Sequence, residues 1–171
     1  PRIKNQTLIT FNKELRTFLD SKPGFFPVFD HPNLGLLTLA ALIPESWKIK
    51  YIESFIDEID YSEKFDIIAI SGMTRQAAQM YEIAGKFKKI GTYIVMGGIH
   101  ASVVPDEALA YADTVFIGEA EHTFPEFIND YAKGKPQSVY RSDRFVDLKS
   151  LPVPRFDLVK KKYQNFPIQT T

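Results

Sequence analysis

The chain has 171 residues, equal numbers of basic (21) and acidic (21) side chains, and no cysteine, which predicts one domain with a sizeable core. The balanced charge provides no overall field to attract nucleic acid or an anionic membrane, and the missing cysteines exclude disulfides, thiolate zinc sites and iron–sulfur clusters within these residues. No membrane-length apolar run or leader peptide is seen, so we expect a cytoplasmic protein that binds a neutral ligand or a protein surface.

Short apolar runs alternate with helical segments, a pattern typical of βαβ units and a parallel sheet. The candidate first strand is 7–11, although the first strand could instead precede Pro1. Residues 47–51 alternate apolar and basic side chains, which predicts a strand near the edge of the sheet. Three further runs are almost continuously apolar, as expected of central strands covered on both faces. They are 66–70, 92–96 and 114–117.

Proline, glycine and capping residues mark the predicted helices. Residues 34–42 are nearly all apolar, which predicts a helix buried on most sides and ended by Pro44. Residues 75–89 have helical spacing and stop before Gly91. A further helix is expected to begin at Pro105. Residues 123–126 have capping-box spacing, which predicts another helix that begins near Thr123 and ends at Gly134.

These elements predict an α/β domain over residues 1–143, with a flavodoxin-like, doubly wound parallel sheet of about five strands in three layers. Residues 144–171 contain three prolines and little periodicity, which predicts a linker that leaves the domain. The chain begins at Pro1 without methionine and stops in an extended segment, so we expect it to be a piece of a longer protein.

Glycines follow each of the three central strands, where ligands of open parallel sheets bind. The loops are Ser71-Gly72-Met73-Thr74, Gly97-Gly98-Ile99-His100 and Gly118-Glu119-Ala120-Glu121. Glycine lets backbone amides approach a ligand closely, or simply lets the chain turn with positive φ. Together the loops predict a groove with bare backbone walls. Nucleoside triphosphate and nicotinamide sites are disfavoured, because neither glycine-rich phosphate motif follows a strand.

Three histidines and two glutamates are candidate functional groups. His31 could ligate a metal or be a solvated loop residue, His100 could contact a ligand or cap a helix, and His122 fits a helix start. Their spacing is not typical of zinc and supports no Ser/His/Asp triad. Glu119 and Glu121 could pair as acid and base, although capping amides or holding a ligand hydroxyl or amide is the preferred interpretation.

Four segments resemble the N-terminal cobalamin-binding domains of cobalamin-dependent radical S-adenosylmethionine enzymes. They are residues 33–41 (NLGLLTLAA), 69–72 (AISG), 95–102 (VMGGIHAS) and 117–121 (IGEAE). Residues 151–157 (LPVPRFD) are similar to the segment joining that domain to the radical barrel, and 169–171 (QTT) to the residues just before the barrel's three-cysteine motif. The resemblance covers roughly residues 33–171 and implies a chain truncated before its barrel.

The resemblance implies a cobalamin-binding module that is not catalytic alone, and a barrel of the same polypeptide as its partner. S-adenosylmethionine, a 4Fe-4S cluster, a small-molecule substrate and methyl transfer would belong to the full-length protein only. The implied cofactor-binding residues are Asn33, Leu34, Gly35, Ser71, Gly72, Met73, Thr74, Gly97, Gly98, Ile99, His100, Gly118, Glu119 and Glu121.

One departure concerns the cobalt ligand. Methionine-synthase-like domains use Asp-x-His-x-x-Gly, whereas here Asp30 and His31 are adjacent and His31 lies four residues before Gly35. We therefore expect no protein ligand to cobalt, with His31 as the alternative. Two other modules on the same fold remain open, a cofactor-free receiver-like domain and a flavin-binding domain, because fold alone does not fix function.

Overall fold

The computed structural model describes residues 6–10, 31–53, 57–160, 163 and 168. Within these residues, six parallel strands form one sheet in the order β2-β1-β3-β4-β5-β6, which is the flavodoxin-like order extended by one strand. The strands are β1 (Gln6–Thr10), β2 (Ile49–Glu53), β3 (Ile67–Ser71), β4 (Tyr93–Gly97), β5 (Thr114–Ile117) and β6 (Val139–Arg141). The doubly wound fold is confirmed, and β6 is the strand that the sequence analysis did not predict.

In the part of the chain that the structure describes, five α-helices cover the two faces of the sheet. They are α1 (Leu34–Ala41), α2 (Ala77–Lys88), α3 (Gly98–Val103), α4 (Pro105–Leu109) and α5 (Phe124–Ala132). Helix α1 begins where Asn33 Oδ1 accepts the Leu36 amide at 3.0 Å. Beyond α2 the chain reverses at Gly91, which has φ +83°, as its predicted role as a helix stop requires.

Each face of the sheet has its own apolar core. Ile68, Ile70 and Met96 belong to one apolar cluster with residues of α2, α3 and α4, among them the fully buried Phe87. On the opposite face, Val95 and Phe116 pack under α1 and α5, together with Phe127. Truncating a phenylalanine of this kind to alanine costs about 3–5 kcal/mol. The alternation of strand residues between two covered faces explains why the central strands are apolar throughout.

The start of α5 differs from the predicted capping box. Thr123 is helical (φ −94°, ψ −17°), its amide donates to Ala120 O at 3.0 Å, and its hydroxyl turns back to the same carbonyl. A capping box needs the threonine amide for the Glu126 side chain, and that amide is already in use. The predicted helix is therefore confirmed, whereas the predicted cap is wrong.

Residues 144–160 pack along the α1/α5 face. The Arg155 amide donates to Leu37 O of α1 at 3.1 Å, and Phe156, Leu158 and Val159 contact the apolar core beneath. Short 3₁₀ turns at 148–150 and 156–158 shape this segment. Among the described residues, no helix has both the length and the apolar composition that a membrane crossing demands.

Candidate functional site

The carboxyl ends of the strands meet at one edge of the sheet. Parallel register places Glu53, Thr10, Ser71 and Gly97 in one row across β2, β1, β3 and β4. The chain reverses its direction of progress across the sheet between β1 and β3, since β1 lies between β2 and β3. Open α/β sheets bind ligands at such a switch point.

A groove opens at this edge on the α1/α5 face. The space between its walls amounts to about 630 Å³ when the open solvent at its mouth is included. It is lined by Gly35, Leu36, Leu39, Ala69, Ile70, Ser71, Val95, Gly97, Gly98, Phe116, Gly118, Glu119, Ala120, Glu121 and Phe124. The groove therefore combines three strand-end loops with one wall from α1 and another from the start of α5.

Strand alternation determines the chemistry of the groove. Ala69, Val95 and Phe116 point to the α1/α5 face and form its apolar floor. Two residues further along each strand, Ser71, Gly97 and Gly118 come to the same face at the rim. The floor of the groove can thus cover an apolar ring, while the rim presents backbone polar groups.

The glycines at the rim have different roles. Gly98 and Gly118 have positive φ, of +86° and +81°. A Cβ on Gly98 would lie 2.6 Å from Ser71 Oγ, and one on Gly118 would lie 2.5 Å from Ser142 O. At Gly72 a Cβ would approach Met80 Sδ to 2.7 Å, so the Met80 side chain would have to shift. Positive φ makes Gly98 and Gly118 necessary to the fold itself.

Gly97 and Gly35 are different, because neither has positive φ. A Cβ on Gly97 would meet Phe116 Cβ at 3.6 Å, and one on Gly35 would meet Asn33 Oδ1 at 3.5 Å, both ordinary contacts. The backbone does not require glycine at these two positions on the groove walls. The absence of side chains there leaves room inside the groove.

Ser102 connects two of the rim loops and was not predicted as a site residue. Its hydroxyl donates to Gly98 O at 2.9 Å and accepts the Gly118 amide at 3.0 Å. The sequence offered one signal, its position four residues after Gly98, which is one helical turn. The apolar lining residues were also missed, since a buried strand or helix residue is indistinguishable in sequence from an ordinary core residue.

Half of the predicted binding residues line the groove, and half lie outside it. The first group is Gly35, Ser71, Gly97, Gly98, Gly118, Glu119 and Glu121. The second group is Asn33, Leu34, Gly72, Met73, Thr74, Ile99 and His100. Asn33 caps α1, while Met73, Thr74 and Ile99 are exposed near the rim.

His100 lies in the core under α2. It is only 3% exposed, its Nε2 is 2.6 Å from the Tyr81 hydroxyl, and its amide donates to Gly72 O. Burial and the neighbouring Glu107 raise the pKa of Tyr81 to about 12, so this tyrosine stays a neutral partner. His31, by contrast, is exposed, with Nδ1 3.1 Å from Pro32 O.

The two glutamates of the groove have separate environments. Glu119 Oε2 accepts the Val146 amide at 2.8 Å, which ties residues 144–160 to the rim. Burial raises the pKa of Glu121 above its ordinary value, and the charge of Glu119 adds to the effect. Glu119 therefore already has one backbone amide as a partner, whereas a capping or ligand-holding role for the two glutamates stays a prediction.

Together, the fold and the groove define a ligand-binding module of the flavodoxin-like class. Comparison with known proteins identifies the family: residues 27–128 match the model of the B12 binding domain. The chain belongs to this family and is a cobalamin-binding module, which favours cobalamin over the flavin-binding and receiver-like alternatives.

Similar curated proteins are methyltransferases of greater length. The chain is 36% identical over 134 residues to bacteriochlorophyllide d C-8(2)-methyltransferase of Chlorobaculum tepidum, covering 78% of this chain and 29% of that protein. It is 27% identical to the C-12(1)-methyltransferase of the same organism, covering 81% and 32%. Hopanoid C-2 methylase of Rhodopseudomonas palustris is 25% identical, covering 88% and 30%. The chain spans about a third of the length of these relatives.

Proposed function

We propose that the groove between α1 and α5 is the cobalamin site, and that the module serves a radical S-adenosylmethionine methyltransferase. The observation that carries the site assignment is the pair of groove glycines, Gly35 and Gly97. Neither is demanded by backbone conformation, and a Cβ at either position would meet only an ordinary contact within the protein. A ligand seated against the backbone at these two positions explains glycine at both.

The residues present fit cobalamin, a cofactor with an apolar base on a polar nucleotide tail and amide groups around its corrin ring. The floor of Ala69, Val95 and Phe116 suits a flat apolar ring. The rim supplies the Ser71 hydroxyl and the Glu121 carboxyl as polar partners for hydroxyls and amides. Apolar lining with a few placed polar groups is the usual composition of such sites.

The described residues hold and shield the cofactor. We assign the tail to the floor and to the α1 wall, and the ring edge to the loops that begin at Ser71, Gly97 and Gly118. When bound, cobalamin supplies a cobalt centre able to carry a methyl group. Leu36, Leu39 and Phe124 exclude water from the tail, and the fixed rim loops orient the ring. His31 is exposed and outside the groove lining, so we assign it no role at cobalt.

The longer architecture of the relatives supports the second part of the proposal. They are methyltransferases of which this chain spans 29–32%. We propose that residues 1–143 are the cobalamin domain and that residues 144–171 lead to a radical barrel of the same polypeptide. That barrel would bind S-adenosylmethionine, a 4Fe-4S cluster and a small-molecule substrate. We place the enzyme in the cytoplasm, where thiolate clusters remain reduced.

A titration with hydroxocobalamin tests the site. We expect a shifted visible spectrum and co-elution of the colour with the protein on gel filtration, and we expect Gly97→Leu to abolish both. The same titration with riboflavin-5′-phosphate is the matched ligand control. If this chain does not bind, the polypeptide that includes the barrel is titrated in the same way. Absence of Gly97-dependent binding in both would refute the assignment.

A further inference from the structure

A buried carboxylate stands at the end of β2, beside but outside the groove. Glu53 is 3% exposed. Its Oε1 accepts the hydroxyl of Tyr51 at 2.6 Å, and its Oε2 accepts the hydroxyl of Tyr163. Both tyrosines are buried, at 4% and 8% exposure. A buried charge requires such partners, so the three side chains form a unit that is costly to break.

Tyr51 connects this unit to the start of α1. Its hydroxyl accepts the Asn33 amide at 3.1 Å while donating to Glu53. Burial and the nearby Glu53 raise the pKa of Tyr51, so the hydroxyl remains a donor at neutral pH. Asn33 in turn caps α1 through Leu36, which lines the groove. A chain of hydrogen bonds therefore joins Glu53 to a groove wall.

Tyr163 connects the unit to the C-terminal segment. That segment is held on α1 by the Arg155 amide, which donates to Leu37 O, and by the apolar contacts of Phe156, Leu158 and Val159. By residue 163 the chain has reached Glu53, the last residue of β2. Glu53 is in the same register row as Ser71 and Gly97. At the usual spacing between neighbouring strands, the two steps from β2 through β1 to β3 place Glu53 about 10 Å from Ser71.

We propose that Glu53 is a positioning residue that fixes the C-terminal segment at the edge where the groove opens and couples it to the groove wall. Through Tyr163 it holds the C-terminal segment at the end of β2, and through Tyr51 and Asn33 it transmits that anchoring to α1. Tyr163 is thus held at the same edge of the sheet as the groove mouth. The coupling to cobalamin rests on the proposed function, whereas the anchoring does not.

Hydrogen exchange of the whole chain tests the anchoring without any ligand. Tyr163→Phe removes one hydroxyl and keeps the ring. We expect exchange at the Arg155 amide to accelerate by about tenfold or more, as for one lost bond to a charged group. A smaller acceleration is expected at the Asn33 amide. Tyr111→Phe is the matched control, because Tyr111 stacks on Tyr81 on the opposite face of the sheet. Unchanged exchange at both amides in Tyr163→Phe overturns the proposal.

Glu53→Gln and Tyr51→Phe separate the two arms of the unit. Glu53→Gln should accelerate hydrogen exchange at both the Arg155 and the Asn33 amides. Tyr51→Phe should accelerate exchange mainly at the Asn33 amide. If Glu53→Gln does not fold, Tyr163→Phe still decides the anchoring, since it alters only a hydroxyl on a segment outside the sheet. If exchange accelerates only at the Arg155 amide in every variant, the anchoring of the segment is supported and the coupling to α1 is overturned.

Hydroxocobalamin then tests the coupling in the same samples. Bound cofactor should slow exchange at Asn33 and Arg155, and by reciprocity Tyr163→Phe should weaken cofactor binding severalfold. If the wild-type chain and the barrel-containing polypeptide both fail to bind, the proposed function fails while the ligand-free exchange result stands. If cofactor binds but Tyr163→Phe and Tyr111→Phe bind equally well, the coupling fails and the proposed function stands.

Discussion

The Gly118 amide donates a hydrogen bond to the hydroxyl of Ser102 over 3.0 Å. The same hydroxyl donates to Gly98 O at 2.9 Å, so one side chain joins the loops that follow β4 and β5. Both loops are part of the groove rim. Because a preorganised site loses less entropy on binding, a group that fixes two rim loops should matter for affinity without touching the ligand.

Ser102→Ala should therefore weaken cobalamin binding while leaving the fold intact. Loss of one hydroxyl with two hydrogen bonds costs about 1 kcal/mol or more, equivalent to roughly fivefold in affinity. Visible titration gives the dissociation constant. Ser102→Thr keeps the hydroxyl and should restore most of the affinity, and Ser62→Ala removes an exposed hydroxyl as a control. Equal affinity of Ser102→Ala and wild type would contradict the role.

The rim glycines provide a second test, in which two neighbouring substitutions should fail for different reasons. Gly97→Leu should preserve the thermal unfolding temperature and abolish cobalamin binding, since its Cβ has only an ordinary contact with Phe116. Gly98→Leu forces a side chain into positive φ, at roughly 1–2 kcal/mol, and into Ser71 Oγ. It should lower the unfolding temperature by several degrees.

The contrast between the two variants arises because positive φ makes glycine structurally necessary at Gly98 and not at Gly97. Circular dichroism melting, combined with the titration, distinguishes the two effects. Gly97→Ala is the conservative control and should bind more weakly than wild type but better than Gly97→Leu. A destabilised Gly97→Leu protein would show that Gly97, like Gly98, is glycine for structural reasons.

Most of the sheet could be predicted from sequence, because apolar strands covered on both faces leave uninterrupted runs. Residues 114–117 were predicted with the observed bounds, and the other central strands were shifted by one residue. β6 was missed because three residues, Val139–Arg141, are too few to show any period. β1 could be recognised only as a candidate, since its sequence is short and mixed in polarity.

The site was predictable at its rim but not in its floor. Glycine after a strand is visible in sequence, so Gly97 and Gly118 were found. Val95 and Phe116 line the groove floor but are almost fully buried, so in sequence they look like ordinary core residues. His100 followed a glycine pair and was placed near the groove, but the helical turn of α3 directs it to Tyr81 instead.

His31→Ala tests the expectation that cobalt has no ligand from this domain. His31 is exposed, and its Nδ1 lies 3.1 Å from Pro32 O. We expect the visible spectrum of bound cobalamin to be the same in His31→Ala and wild type at neutral pH. His122→Ala is a matched exposed-histidine control. A spectral shift confined to His31→Ala would identify that imidazole as the lower ligand.

Glu121 gives a pH dependence of stability whose sign follows from its burial. Desolvation raises the pKa of the folded carboxyl above its ordinary value of 4.5. At pH values below that ordinary pKa, the carboxyl is protonated in both the folded and the unfolded state. Its burial then does not lower the free energy of unfolding. As pH rises through the raised pKa, the folded state binds more protons than the unfolded state, so the free energy of unfolding decreases.

Removing the charge should therefore stabilise the ligand-free domain near neutral pH only. Glu121→Gln should raise the unfolding temperature by up to a few degrees at pH about 7 and leave it unchanged at pH about 4, where wild-type Glu121 is also neutral. Glu58→Gln, at an exposed position, should show no such difference between the two pH values. Because the cost is present only while the carboxylate is ionised, equal stabilisation by Glu121→Gln at both pH values would assign the effect to packing rather than to charge.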